Sequence, residues 1–164
     1  SSAFVSVYGG PKMGLRCAVS DSGIGYLESI MKKPQDLQIY SKEELCSKDG
    51  YDNFRSILEA VFMRFGKKSY GLHSVINMIS GINGTTRIHS DDTQVIFTPY
   101  NTPTKCDSDA SIKEKGLEIA SRIANLANKT LSIQSSPLRI RNEKLAGAHV
   151  EFEIPPMKKR GDDK

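Results

Sequence analysis

The apolar positions of the 164-residue chain change period several times, and each change marks an element. Phe4 to Tyr8 alternates and is rich in β-formers, and Gly9-Gly10-Pro11 closes it as a turn. Met13 to Val19 reads as a second strand, so the two make a hairpin. Asp21-Ser22-Gly23-Ile24-Gly25 breaks the pattern immediately afterwards. Tyr26 to Lys33 gives one or two helical turns stopped by Pro34, and Leu37 to Tyr51 is polar loop with a short helix at Lys42–Cys46. From Asn53 to Phe65 the residues Phe54, Ile57, Leu58, Val61, Phe62 and Phe65 recur at three- and four-residue spacing, a helix that Asp52 is placed to cap.

A second long helix opens at Tyr70-Gly71-Leu72, with Leu72, Val75, Ile76 and Ile79 on one face, and stops at Gly81. Thr85 to Ser90 and Gln94 to Thr98 read as two strands with Asp91-Asp92 at an exposed turn. Ile112 to Ala127 is a third helix, with Ile112, Leu117, Ala120, Ile123, Ala124 and Ala127 inward. Leu131–Ser135 and Leu138–Arg141 read as strands, and Val150 to Ile154 alternates cleanly before Pro155-Pro156. The expected fold is α+β: a two-layer sandwich with a mixed, mostly antiparallel sheet and helices on one face.

Composition narrows this little. With 38% hydrophobic and 26% charged residues the chain is of the globular class, and its length suits one domain, residues 1–156, followed by a charged tail, 157–164. The net charge of +4 is spread out, and Lys158-Lys159-Arg160 reads as a solvated tail, so nucleic acid is not an expected partner. Cys17, Cys46 and Cys106 form no CxxC pair and lie at no zinc spacing from a histidine, which fits a reducing, cytoplasmic setting; Cys17 is expected buried. No window reaches the ~18 apolar residues of a membrane span, so no membrane partner is expected.

Two stretches carry chemistry. A carboxylate at a strand end, Asp21, can accept a hydrogen bond from an exocyclic amine, and Gly23 and Gly25 let backbone approach a flat ring. Read alone, the same residues are also an ordinary turn. Gly66-Lys67-Lys68-Ser69-Tyr70-Gly71-Leu72 runs straight into a helix, whose free N–H groups suit an anion, with Lys67 and Lys68 as added cations. Read alone, it is also a C-capping glycine followed by two solvated lysines. His73, His89 and His149 have no metal-ligand spacing, and Ser20, Ser22 and Ser74 sit in no nucleophile elbow.

In combination and order, these stretches resemble the gyrase, histidine kinase, heat-shock chaperone and MutL (GHKL) ATPase superfamily, with the bacterial histidine-kinase-like branch nearest. Asp21-Ser22-Gly23-Ile24-Gly25 is similar to its Asp-x-Gly-x-Gly adenine motif. Ser69-Tyr70-Gly71-Leu72 is similar to its Gly-Leu-Gly-Leu phosphate motif, with Ser and Tyr for the first Gly and Leu. "NGTTRIHSDDTQVIF" resembles its Gly-Gly-x-Ile-x-Ser hairpin, and "GAHVEFEIP" its closing strand, with Ala148 where Thr is usual. The likeness spans about residues 4–99 and 147–155 and leaves about 100–146 as an insertion.

The resemblance implies a Bergerat-like ATP-binding fold. It makes Asp21 the acceptor of the adenine amine, Gly23 and Gly25 the shapers of its pocket, and about 26–68 a lid. Lys67, Lys68, Ser69, Tyr70, Gly71 and Leu72 would surround the phosphates, and the cofactor would be ATP or ADP with Mg. The family's helix with a water-activating Glu and a Mg-binding Asn has no counterpart here, since Ile112–Ala127 offers Glu118 with Arg122 where Asn is needed. That helix and the Mg ligand are expected from a segment preceding Ser1. The intact protein would then be an ATPase or kinase, and this chain by itself inactive. A protein partner, or another segment of the same protein, is expected to cover the sheet side left bare. The alternative is a degenerate module of the same shape that binds proteins and no nucleotide.

Overall fold

The computed structural model describes residues 2–63, 71–102 and 111–156. Four strands and five helices appear in the order β1 (Ala3–Gly10), β2 (Gly14–Asp21), α1 (Gly25–Met31), α2 (Lys42–Leu45), α3 (Asp52–Phe62), α4 (Gly71–Gly81), β3 (Thr85–Phe97), α5 (Ile112–Lys129) and β4 (Leu138–Ile154), with a 3-10 turn at Pro34–Asp36. The strands form one open sheet in the order β1-β2-β4-β3, and all three pairings are antiparallel. The fold is therefore α+β and two-layered, as the pattern predicts.

The alternation of each strand separates two faces. Register places Val19, Val150 and Ile88 in one row, and this row faces the helices: Ile88 is buried and Val150 packs against the core. The opposite face is polar. There Arg87 reaches Glu151 at 3.1 Å and Glu153 at 2.8 Å, and Arg16 reaches Glu153 at 3.0 Å. Such one-sided burial is ordinary for an antiparallel sheet.

α3 is the hub of the helical layer and packs on β3, α1, α2, α4 and α5. Its Phe54, Ile57, Leu58, Val61 and Phe62 are all buried, as their spacing predicts; Phe65 lies outside the described residues. Ile76 and Ile79 of α4 add to this core. On α5 Ile123 is buried and Ile112 and Ala120 pack against the core, as expected, while Leu117 is exposed and the neighbouring Gly116 and Ile119 are buried instead. The spacing 112-116-119-123 fits 3.6 residues per turn, and Gly116 lets Ile39 pack on the helix backbone.

α3 also carries Glu59, a fully buried carboxylate. One of its oxygens accepts from the Gln38 N–H, and the other from the N–H groups of Ile39 at 3.0 Å and Tyr40 at 3.1 Å. The segment after the 3-10 turn thus has its main chain fixed by one side chain, and Ile39 and Tyr40 enter the core.

Four local expectations are corrected. Asp52 does not cap α3 through its side chain. It is the first helical residue, and its carboxylate instead accepts from the Lys48 N–H and the Ser47 hydroxyl, both at 3.1 Å. Asp91-Asp92 is no exposed turn. β3 runs unbroken from Thr85 to Phe97, and the pair sits half-buried in a bulge, with Asp91 at φ 55. Leu131–Ser135 is not a strand, because Ser132 accepts from the Gln134 N–H at 3.3 Å and Ser135 N–H turns back to the Ser132 carbonyl at 3.1 Å. Leu138–Arg141, by contrast, is strand as expected and forms the first part of a longer β4, so the segment 100–146 holds α5 and half of the last strand. Cys17 is half-buried rather than buried.

The bulge has a structural cause in β4. Ser90 faces Ala148, Asp91 faces Leu145 and Thr93 faces Ile140, so β4 carries surplus residues over this stretch. They flank Leu145 on both sides, at 141–144 and 146–147, and have no partner in the register.

Candidate functional site

β2 ends at Asp21, and the chain turns at once. Asp21 Oδ1 accepts from the Gly23 N–H at 2.6 Å, a side-chain-to-backbone turn that leads into α1. Gly25 opens α1 at φ +75, and a Cβ there would stand 3.0 Å from the Ser90 hydroxyl. That hydroxyl accepts from the Tyr26 N–H at 3.0 Å, tying the start of α1 to β3 just before its bulge.

The unpaired part of β4 closes the arrangement. Gly147 has φ +80, and a Cβ at this position would lie 2.0 Å from the Asp21 carbonyl oxygen and 2.7 Å from its Oδ1. No side chain fits between them. Asp21–Gly25, Ser90 and Gly147, far apart in sequence, therefore meet at one point.

Beside that point lies an open cavity of about 690 Å³, within the usual range for ligand pockets. Gly23 and Gly25 line it with the apolar Ile24, Tyr26, Leu27, Met31, Leu145 and Ala146. Its polar groups are few: Asn53, Asp91, Glu28, Ser90, Cys46 and Lys144. Asn53 Nδ2 donates to Asp91 at 3.1 Å and Asp92 at 3.0 Å, and Lys144 Nζ donates to Asp91 at 3.0 Å. That bond with Asp91 holds the Lys144 ammonium above its ordinary pKa. Burial, with the Asp21 charge adding to it, pushes up the Tyr26 phenol.

A second cavity of about 340 Å³ shares the Leu145–Gly147 wall and is lined by Asp21, Ser20, His89, His149, Gln94 and Arg141. Ser20 Oγ and His149 Nδ1 are hydrogen-bonded at 2.5 Å. Asp21 directs its carboxylate to Gly23 and not to His149, so no three-membered relay forms. His89 is buried opposite His149; burial, and then the Arg141 charge, lower its pKa. Among the described residues no three His, Cys, Asp or Glu side chains gather as a metal site.

Of the expected site residues, Gly23 and Gly25 line the larger cavity and Asp21 the smaller one adjoining it. Gly71 and Leu72 line neither: they begin α4, where Leu72 packs toward the core. Lys67, Lys68, Ser69 and Tyr70 lie outside the described residues. Of the expected lid, residues 26–63 fold as α1, α2 and α3 and give the core Ile30, Leu45 and Ile57 among others. Ser90, Asn53 and Lys144 are cavity residues that the sequence pattern did not single out. Ser90 and Gly147 stood within the quoted stretches, which was the available signal; Lys144 had none.

Compared with known protein-family models, with curated proteins and with solved structures, the chain matches none.

Proposed function

We propose that the chain is a nucleotide-binding module that takes ATP or ADP, with magnesium, in the larger cavity. The observation that carries this reading is the meeting of Asp21–Gly25, Ser90 and Gly147. These points belong to three stretches that resemble GHKL motifs, and only folding brings them together where the larger cavity adjoins the smaller one that Asp21 lines. The apolar lining suits a stacked base, and Asp21 keeps one carboxylate oxygen that accepts from no described residue. Lys144 is the one described cation on the lining and is suited to a phosphate. The described residues provide no metal cluster, so magnesium in this reading rests on the phosphates and on residues elsewhere. Lid closure is confined to the exposed turn Cys46–Tyr51, since the helices on either side are anchored in the core.

Asp21→Asn tests the assignment. Asparagine can still accept from the Gly23 N–H through its oxygen, so the turn survives while the second acceptor becomes a donor. The wild type should bind ADP and ATP–magnesium in calorimetry, with its melting temperature raised by each. At a hundredfold excess over Kd the stabilisation is ~2.7 kcal/mol. Asp21→Asn should lose at least about tenfold in affinity, roughly one lost hydrogen bond. Equal binding by both proteins rejects the pocket. No binding by the wild type favours the alternative, an interaction module, which the position of Gly71 away from the cavity also suits.

A further inference from the structure

β1 stands at the edge of the sheet, and β2 is the one described element that packs on it extensively. Its sequence Ala-Phe-Val-Ser-Val-Tyr-Gly-Gly holds no proline, no charge and no bulge, the devices that normally blunt an open edge. Phe4, Val5, Val7 and Tyr8 are 67%, 68%, 59% and 54% exposed. Val5 and Val7 thus leave the helix side of the strand apolar and bare, while on the other side Phe4 is bare and the Tyr8 hydroxyl accepts from Arg16 at 3.0 Å.

The direction of the free main-chain groups follows from the hairpin. Ser22 N–H donates to the Ser2 carbonyl at 3.0 Å, and Met13 N–H to that of Gly10 at 3.0 Å. Even-numbered residues therefore bond inward to β2, and the N–H and C=O groups of Ala3, Val5, Val7 and Gly9 point outward. The side chains around Ser6 read almost the same in both directions: Phe-Val-Ser-Val-Tyr.

We propose that β1 pairs antiparallel with β1 of a second copy of this chain, on a two-fold axis through Ser6, making one eight-stranded sheet across the dimer. A closed two-fold contact requires that each residue meet the partner of its own partner, and this segment satisfies that condition. In this register Val5 faces Val7 of the other copy as a hydrogen-bonded pair, using the outward groups on both. Phe4 faces Tyr8 and Ser6 faces Ser6 in the closer, non-bonded pairs, which places two aromatic pairs where cross-strand side chains interact best. A register one residue off would set outward groups against inward ones. The axis is perpendicular to the sheet, so both helical layers lie on the same side, and Val5, Val7, Leu15 and Val19 of the two copies form one apolar strip between them.

The test is sedimentation of the full chain over a concentration series, with Val7→Pro and Ser6→Cys. Proline at Val7 removes an outward N–H and leaves the bonds to β2 intact, a position where an edge strand tolerates it. The wild type should be a dimer at about 10 µM, and Val7→Pro should raise the dimer Kd at least tenfold. On oxidation Ser6→Cys should give a covalent dimer at a yield the wild type, with its own cysteines, does not reach. Ser6→Cys is a small change that reads the register even if Val7→Pro unfolds the hairpin. A monomeric wild type, as expected if another segment or a different protein takes this edge, overturns the proposal. So does a dimer from which oxidised Ser6→Cys gains no cross-link.

Discussion

Glu59 offers the sharpest test of how this fold is held. Its two buried oxygens take three main-chain N–H groups, those of Gln38, Ile39 and Tyr40. In Glu59→Gln the oxygen of the amide can keep Ile39 and Tyr40, but its NH₂ then confronts the Gln38 N–H, donor against donor. One orphaned buried N–H costs about 1–3 kcal/mol, and two bonds fall from charge-assisted to neutral strength, so the expected loss is about 2–4 kcal/mol. Glu59→Leu orphans all three donors. Summed, that is roughly 3–9 kcal/mol, reduced by several kcal/mol because no carboxylate has to be stripped of water. Leucine should therefore also cost a few kcal/mol, of the same order as glutamine. Urea unfolding reads both as a lower midpoint at unchanged slope, and amide exchange should quicken first at Gln38 in Glu59→Gln and at Gln38, Ile39 and Tyr40 together in Glu59→Leu. If Glu59→Leu were as stable as the wild type, the clamp would contribute nothing net and the argument would fail.

Gly147→Ala puts a methyl group 2.0 Å from the Asp21 carbonyl oxygen at φ +80, whereas Gly50→Ala, at φ +84, meets nothing. The Gly50 variant should lose about 1–2 kcal/mol from backbone strain alone. The Gly147 variant should lose more than that in thermal unfolding, and equal losses would refute the close approach. For pH, burial holds both His73 and His89 below the ordinary value of 6.5, with Lys115 and Arg141 adding to it respectively. Unfolded histidines then take up protons first, so this part of the stability is complete above pH 6.5 and is lost as pH falls below it. Urea midpoints should drop between about pH 8 and 5.5, and His89→Gln should flatten the slope; a midpoint that rises on acidification would contradict this.

The elements built on periodicity could be read from the chain. The apolar spacing of α3 and α4 and the alternation of β1 and β2 each depend on a single pattern within one element. What could not be read depends on pairs of distant residues. Glu59 occupies a buried phase of α3, but its partners lie twenty residues back, in a segment that reads as plain polar loop. Asp91-Asp92 has turn chemistry, and a bulge uses the same left-handed backbone as a turn, so only the partner strand distinguishes them. At the candidate site, Asp21, Gly23 and Gly25 were legible as a turn before a helix. Their contact with Gly147 was not, because it requires β2 to lie beside β4, while Gly71 was expected at the same cleft and starts a helix elsewhere.

The bulge in β3 also resets which residues face the core. Before it, the residues no more than 1% exposed are Thr86, Ile88 and Ser90, all even-numbered; after it, Thr93, Val95 and Phe97, all odd. A strand normally keeps one parity for its whole length. Gain or loss of one residue between Ser90 and Thr93 would thus transpose inside and outside for every position that follows, rather than merely lengthen or shorten a loop. Relatives that drift from this chain should conserve the length of this stretch more strictly than its composition.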